Sequence, residues 1–367
     1  MRVTVVGGGV VALITAVECV LSGHQVAVVD RGPLPARPAT AFGQHRIMAA
    51  LNPADFAGTA AGLRAQHRWG ELEELFSARL YERVGALSLM PPPAATEGAA
   101  LLAEAGGRAR ALTADGLAGR YPHLNLGGGR GAVLEEGAGV LLTDRVLAAA
   151  VGWLRWQPGV ELHPYRPVAS VDGESGAVRL VNGDVLRGDV ALVAAGARSR
   201  GLLPPVITEQ LTLHRTSLLH CRVPRRQAAA WASTPPVAGL GATGGAWLVP
   251  PVAGGALTLG STTPRHPAGE LTGVAAEAGR QRRLESGFGD LLPGFGPDWI
   301  TRAEHHITLS FAEPGGPGPA ALGGAGYAYA VCGSTSLTYA PLIARSLADR
   351  LTDAAPSPTG LSALDRP

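Results

Sequence analysis

Gly7-Gly8-Gly9 is the first place in the chain where residue type and spacing suggest chemistry. Gly7, Gly9 and Ala12 fall at the three small positions of a strand–turn–helix, and Asp30 follows about twenty residues on, which is the pattern of a dinucleotide-binding βαβ unit. Gly7 allows the turn and Gly9 lets a pyrophosphate approach the backbone. Ala12 keeps helix and strand close. The N–H groups of Val10 and Val11 at the helix start face the phosphates, and Asp30, with Arg31 beside it, accepts from a ribose hydroxyl.

Other chemistries are excluded by composition. The chain has 367 residues and 31 basic side chains, every one of them arginine. Without lysine there is no Schiff base, no P-loop ammonium and no amine side chain acting as a base. Alanine-rich, lysine-free usage is also what a GC-rich coding sequence produces. Charged residues make up 16% and the net charge is +2. The arginines are scattered, so no nucleic-acid footprint is expected. Cys19, Cys221 and Cys332 lie far apart with no metal-ligand spacing, so no metal site is expected and the chain reads as a reducing, cytoplasmic protein. No run of eighteen or more apolar residues suggests a membrane span.

These residues need a scaffold. Arg2 to Val6 reads as a strand, Val10 to Leu21 as a helix, and Gln25 to Asp30 as a second buried strand. A helix is predicted from about Pro53 to Leu75, and Arg83 to Met90 reads as the first strand of another sheet. Asp144 is a plausible cap for a helix reaching about Trp156. Asn182-Gly183 marks a hairpin between Val178–Val181 and Val185–Leu186, and Asp189 to Ala197 is a buried strand closing on a small-residue turn. Strands broken by glycine and proline follow from about 206 to 300, with a helix near Gly273 to Phe288. Tyr327 to Cys332 is a strand, and Leu337 to Leu351 a helix. The expected fold class is α/β: a discontinuous Rossmann-like unit (1–83, 138–205 and 301–367) that binds the dinucleotide, and an antiparallel-sheet substrate unit (84–137 and 206–300).

This order of parts resembles the FAD-dependent D-amino-acid oxidase superfamily, most closely its branch of monomeric sarcosine oxidase-like amine oxidases. The resemblance covers most of the chain. It is carried by Val6-Gly7-Gly8-Gly9 through Asp30, Gln44-His45-Arg46-Ile47, Trp69-Gly70-Glu71-Leu72-Glu73, Gly139-Val140-Leu141, Ala194-Ala195-Gly196-Ala197, Ile307-Thr308-Leu309 and Cys332-Gly333-Ser334. It implies FAD as cofactor. Val168 would present its backbone to the adenine, and Ala195 and Gly196 would lie near the dinucleotide. His45 and Arg46 would sit beside the isoalloxazine, and Gly333, Ser334, Thr335, Ser336, Leu337 and Thr338 would cradle the flavin pyrimidine.

The departures are informative. The arginine that holds a substrate carboxylate in sarcosine oxidase-like enzymes is matched by Ala49. The oxygen-activating lysine is matched by Thr258, and a lysine near the last helix by Thr338. The cysteine that binds flavin covalently is matched by Ala303, so non-covalent FAD is implied. A cation about 4 Å from developing superoxide is worth roughly 4 kcal/mol at an effective dielectric of about 20, or nearly three decades in rate. The resemblance places His305 and Trp247 in the substrate pocket, with His305 as a base or polar contact, and implies that adjacent His306 faces away. Tyr339, His214 and Arg215 are weaker pocket candidates, and Glu18 reads as solvated. The implied activity is oxidation of a C–N bond in an amine or amino-acid-derived small molecule, giving an imine or unsaturated heterocycle, with dioxygen or another acceptor. The rival readings are a different flavin reaction, monooxygenation or rearrangement, and a degenerate FAD-binding protein.

Overall fold

Three parallel strands set the frame. Arg2–Val6 lies between Gln25–Val29 and Val190–Val193, all nearly fully buried and dominated by valine, as expected of strands covered on both faces. The computed structural model describes residues 1–35, 45–209, 211–261, 266–267, 278–311, 320–323, 327–331 and 336–353. Tyr327–Val331 and Val160–His163 extend this sheet on either side, and Ala320–Gly323 closes it antiparallel. The Val10–Leu21 helix packs between the sheet and the Ser336–Asp353 helix. Its buried face includes Val10, Leu13, Ile14 and Val17.

The second helix covers Phe56–Phe76 and begins three residues later than the pattern predicts, because the Asp55 side chain accepts from the Gly58 N–H and caps it. Asp144 does not cap the Thr143–Arg155 helix. Leu142 stands at the N-cap without a side-chain bond, and Asp144 lies in the first turn, where a carboxylate complements the helix dipole. Helices Pro92–Glu104 and Ala114–Arg120 are present in addition to those expected.

A nine-stranded sheet forms the second unit. It is antiparallel except where Val237–Leu240 runs parallel to Ala86–Met90. Its longest pair joins Leu211–Cys221 to Ile300–Phe311. Residues 300–311 therefore belong to this sheet, not to the dinucleotide unit in which the boundary at 301 places them. Pairing with an eleven-residue neighbour outweighs proximity in sequence to the last helix. A small three-stranded sheet, Arg46–Met48, Gly139–Leu141 and Tyr81–Glu82, links the two units. Its close pairing depends on Gly139, where a Cβ would lie 1.9 Å from the Glu82 carbonyl oxygen. Among the described residues no helix is long and apolar enough to cross a membrane.

Candidate active site

The dinucleotide cradle lies at the C-terminal ends of the three central strands. Val6 is in register with both Val29 and Val193, so the next residues, Gly7, Asp30 and Ala194, form one row. This is where an open α/β sheet accepts ligands. Gly7 has φ +130°, and a Cβ there would stand 2.5 Å from the Ala194 carbonyl oxygen. Gly9 is the N-cap of the first helix, makes no side-chain cap, and has no atom of the described residues within 4 Å of its Cβ position. The N–H groups of Val10 and Val11 therefore begin the helix at a point that no described residue covers, with a partial positive charge of about half a unit behind them. Asp30 accepts from the Gly32 N–H at 2.7 Å. Gly196 has φ +59° and no atom of the described residues within 4 Å of its Cβ position, and Val168 packs with Val6, Val29 and Ala195 at the same edge. These residues fit a dinucleotide. Arg31 and Arg198 are both exposed beside Asp30. Arg198 carries no motif in the sequence, and only the fold brings it to this corner.

At the last helix, Thr338 offers its carbonyl to Trp69 Nε1 at 3.0 Å, and Leu337 packs on the main core. Ser336 begins the helix. Gly333, Ser334 and Thr335 lie outside the described residues. Tyr339 donates to the Gly58 carbonyl at 3.3 Å.

The second half of the site is one face of the antiparallel sheet. Side chains alternate along a strand, and the register sorts them. His220 is paired with Thr258 and Arg302, Leu218 with Gly260 and Glu304, and Trp247 with Gly260. Trp247, Thr258, His220, Glu304 and His306 therefore share a face. Gly260 lets the Trp247 ring lie across it, since a Cβ there would fall 2.3 Å from Trp247 Cζ2. Val249, on this same face, packs with Val140, Leu142 and Ile47 of the small sheet. Arg46, beside Ile47, lies close enough to bear electrostatically on Glu304, His220 and His306. Arg46 is half-buried, and burial pushes its guanidinium down to about 10, with Glu304 opposing the shift. His45 is also held below its ordinary value by burial.

Within the cluster, Thr258 Oγ1 lies 3.3 Å from His220 Nδ1. Glu304 Oε2 lies 3.3 Å from His220 Nε2 and 3.2 Å from His306 Nε2, and Glu304 Oε1 lies 2.7 Å from Arg302 Nη2. Burial holds His306 down to about 4, aided by Arg46 and opposed by Glu304. It also lowers His220, again with Glu304 opposing. Both rings are neutral near neutral pH, the form that accepts a proton.

His305 does not join this group. It is paired with Ser217, whose Oγ is 2.8 Å from its Nδ1, on the opposite face of the strand. That face also carries Leu219 and Ala303, packed in the core of the second unit. The expectation for the two adjacent histidines is thus inverted: His306 faces Arg46 and His305 faces away. A one-residue slip in register exchanges every side chain between faces, and by the observed register Ala303 shares the His305 face, not that of His306. His214 lies on the same face as His220, near the far end of the strand. The Arg215 side chain lies outside the described residues.

Two further carboxylates escaped sequence reading. Glu18 is buried, not solvated, and is held by Arg68 Nη2 at 2.7 and 2.9 Å. Glu135 is buried and accepts from the Ala50 N–H at 2.9 Å, the Leu51 N–H at 3.2 Å and Gln66 Nε2 at 2.5 Å. It thereby ties the loop after Arg46–Met48 to the large sheet.

Comparison with known proteins follows the same lines. The chain resembles the structure of NikD, an amino acid oxidase essential for nikkomycin biosynthesis, at 18% identity and TM-score 0.77, over 99% of this chain and 96% of that one. L-proline dehydrogenase from P. horikoshii gives 16% identity and TM-score 0.77, over 99% and 95%. Amadoriase I from Aspergillus fumigatus, a fructosyl amine:oxygen oxidoreductase, gives 19% identity and TM-score 0.74, over 97% and 87%. A comparison with curated protein sequences gives no match. The sequence profile described as FAD dependent oxidoreductase matches residues 2–350, so the chain belongs to the FAD-dependent oxidoreductase (DAO) family.

Proposed function

We propose that this oxidoreductase removes hydride from a carbon adjacent to nitrogen in an amine or amino-acid-derived molecule, giving an imine or a more unsaturated heterocycle. The observation that carries this reading is the shared face of Trp247, Thr258, His220, Glu304 and His306 turned toward Arg46. The named activities of the three structural relatives, an amino acid oxidase, a fructosyl amine oxidoreductase and a proline dehydrogenase, support the substrate class.

The chain's own residues divide the work. Gly7, Gly9, Val10 and Val11 would hold the FAD pyrophosphate through backbone N–H groups, Asp30 the ribose, and Val168, Ala195 and Gly196 the adenine side. When bound, FAD supplies the hydride acceptor. Among the described residues, the buried positions of Cys19 and Cys221 fit non-covalent binding, and Cys332 lies outside the described residues. Burial pushes both thiols up to about 12, far from the thiolate that covalent attachment needs.

Trp247 offers an apolar wall, and the neutral imidazoles of His220 and His306 offer proton acceptors. A protonated amine has no lone pair to assist hydride departure, so a base is required. Ala49 leaves no guanidinium at the place where the resemblance puts the carboxylate anchor, which favours a bulky or uncharged substrate over a small zwitterion. Anaerobic mixing of the FAD-loaded protein with a panel of secondary, cyclic and primary amines tests the reading. Bleaching of the flavin absorbance is expected with at least one class. Failure of every amine, combined with NADPH-dependent hydroxylation or simple isomerisation of a substrate, would replace it.

A further inference from the structure

The carboxylate of Glu304 is shared in an unusual way. One oxygen, Oε2, hydrogen-bonds His306 Nε2 at 3.2 Å and stands at ion-pair distance, 3.3 Å, from His220 Nε2 without hydrogen-bond geometry, while the other is 2.7 Å from Arg302 Nη2. The three groups of the trio differ in access. The side chain of His220 is 5% exposed, that of His306 16% and that of Glu304 19%, whereas Arg302 is 55% exposed. The trio thus runs from an enclosed ring to the surface. Thr258 closes the inner end by its contact with His220 Nδ1.

Charge limits what the trio can hold. One carboxylate balances one imidazolium. A second would face the first across the same oxygen, with the guanidinium groups of Arg46 and Arg302 adding positive charge from the facing small sheet and from its own strand. Among the described residues, the other titratable groups around the trio include His45 beside Arg46, with Asp144 and Arg145 next to it, and His305 on the other side of the strand. The rings are therefore built to share a single proton.

We propose that Glu304 is the positioning residue of a two-histidine proton acceptor, in which His220 and His306 together take one proton from the substrate ammonium and pass it to solvent on the Arg302 side. In this step the substrate N–H bond breaks and its electron pair stays on nitrogen. An N–H bond forms on imidazole, and no electrons change hands. Hydride departure is a separate event, and the proposal rests on the amine reading above. Glu304 acts through the rings: it selects their tautomer and orientation and steadies the imidazolium once formed.

The test uses the FAD-loaded protein and two substitutions, Glu304→Gln and Glu304→Asp. Anaerobic single-turnover reduction by an amine substrate is followed against pH. The unaltered protein should show one acid limb of unit slope. In Glu304→Gln the plateau should fall by about tenfold or more and the limb should move to lower pH by about one unit, because the imidazolium loses its counter-charge. Glu304→Asp should return the limb toward its original place.

A second readout needs no turnover. Imidazole resonances of the FAD-free and FAD-loaded protein, assigned with His220→Asn and His306→Asn, should titrate together with one shared proton. They should separate in Glu304→Gln. A rate loss with an unmoved limb, or rings that titrate independently in the unaltered protein, overturns the proposal. If no amine reduces the flavin, the amine reading fails, while the imidazole titration still decides whether Glu304 joins the two rings.

Discussion

Thr258 and His220 are direct partners across adjacent antiparallel strands, with the threonine hydroxyl 3.3 Å from His220 Nδ1. The resemblance to sarcosine oxidase-like enzymes puts an oxygen-activating ammonium at the threonine's position. Here a hydroxyl rests on an imidazole that burial keeps neutral. The resemblance thus sets a dipole where those enzymes carry a charge, and among the described residues Arg302 and Arg46 are the cations that bear on His220.

Thr258→Lys restores the charge. Thr258 is 3% exposed, so a lysine there is poorly solvated, and the Glu304 carboxylate behind His220 gives it a counter-ion. The substrate-reduced protein should then react with dioxygen at least about tenfold faster, a fraction of the roughly 4 kcal/mol available to a well-placed cation. Stopped-flow reoxidation measures it. An unchanged rate would show that position 258 is not where dioxygen is reduced.

Gly7→Ala and Gly9→Ala separate folding from cofactor binding. At Gly7 the backbone has φ +130° and the Cβ would collide with the Ala194 carbonyl, so stability should fall by about 2 kcal/mol or more. At Gly9 no atom of the described residues lies within 4 Å of the Cβ position. The Gly9 variant should keep its FAD-free melting temperature and bind FAD about tenfold more weakly or worse, a loss of about 1.4 kcal/mol. Thermal melting and flavin fluorescence titration report the two effects separately.

What could be read in the sequence was local. The Gly7-to-Asp30 unit is recognisable because strand, turn, helix and strand follow one another within about thirty residues, each with its own periodicity. The His305 and His306 pair shows the limit. Both residues sit on a strand whose pattern, Glu304-His305-His306-Ile307-Thr308, marks neither face as the core, and only pairing with Ser217 and Thr216 fixes which ring looks inward. Glu18 and Arg68 stand fifty positions apart on two helices. Their ion pair follows from helix packing, which no short-range signal encodes.

That ion pair should be costly to break. Arg68→Ala leaves Glu18, 4% exposed, as a buried charge without its partner, at about 3–5 kcal/mol. Burial already raises the Glu18 carboxyl above its ordinary value, with Arg68 opposing the shift, and removing Arg68 raises it further. A carboxyl whose folded value lies above its unfolded one binds more protons when folded, so its contribution to stability is present below the unfolded value and lost as pH rises through the folded one. The variant should therefore lose less stability at mildly acidic pH than at neutral pH. Urea titrations at several pH values measure this, and a Glu18→Leu, Arg68→Met double variant should recover most of the loss.

The two adjacent histidines give the sharpest division between packing and chemistry. His305→Ala removes a ring bonded to Ser217 on the core side. It should cost about 1–2 kcal/mol of stability and leave the rate of amine-driven flavin reduction within about twofold. His306→Asn removes a ring that contacts Glu304 and faces Arg46. It should lower that rate by about a hundredfold, the scale of a lost base, with little change in melting temperature. Single-turnover reduction and thermal melting of the same two proteins give both numbers. The reverse pattern would mean that the other face of Ile300–Phe311 lines the pocket. Ala303 would then return to the flavin side, and His305 would be the ring that meets the substrate.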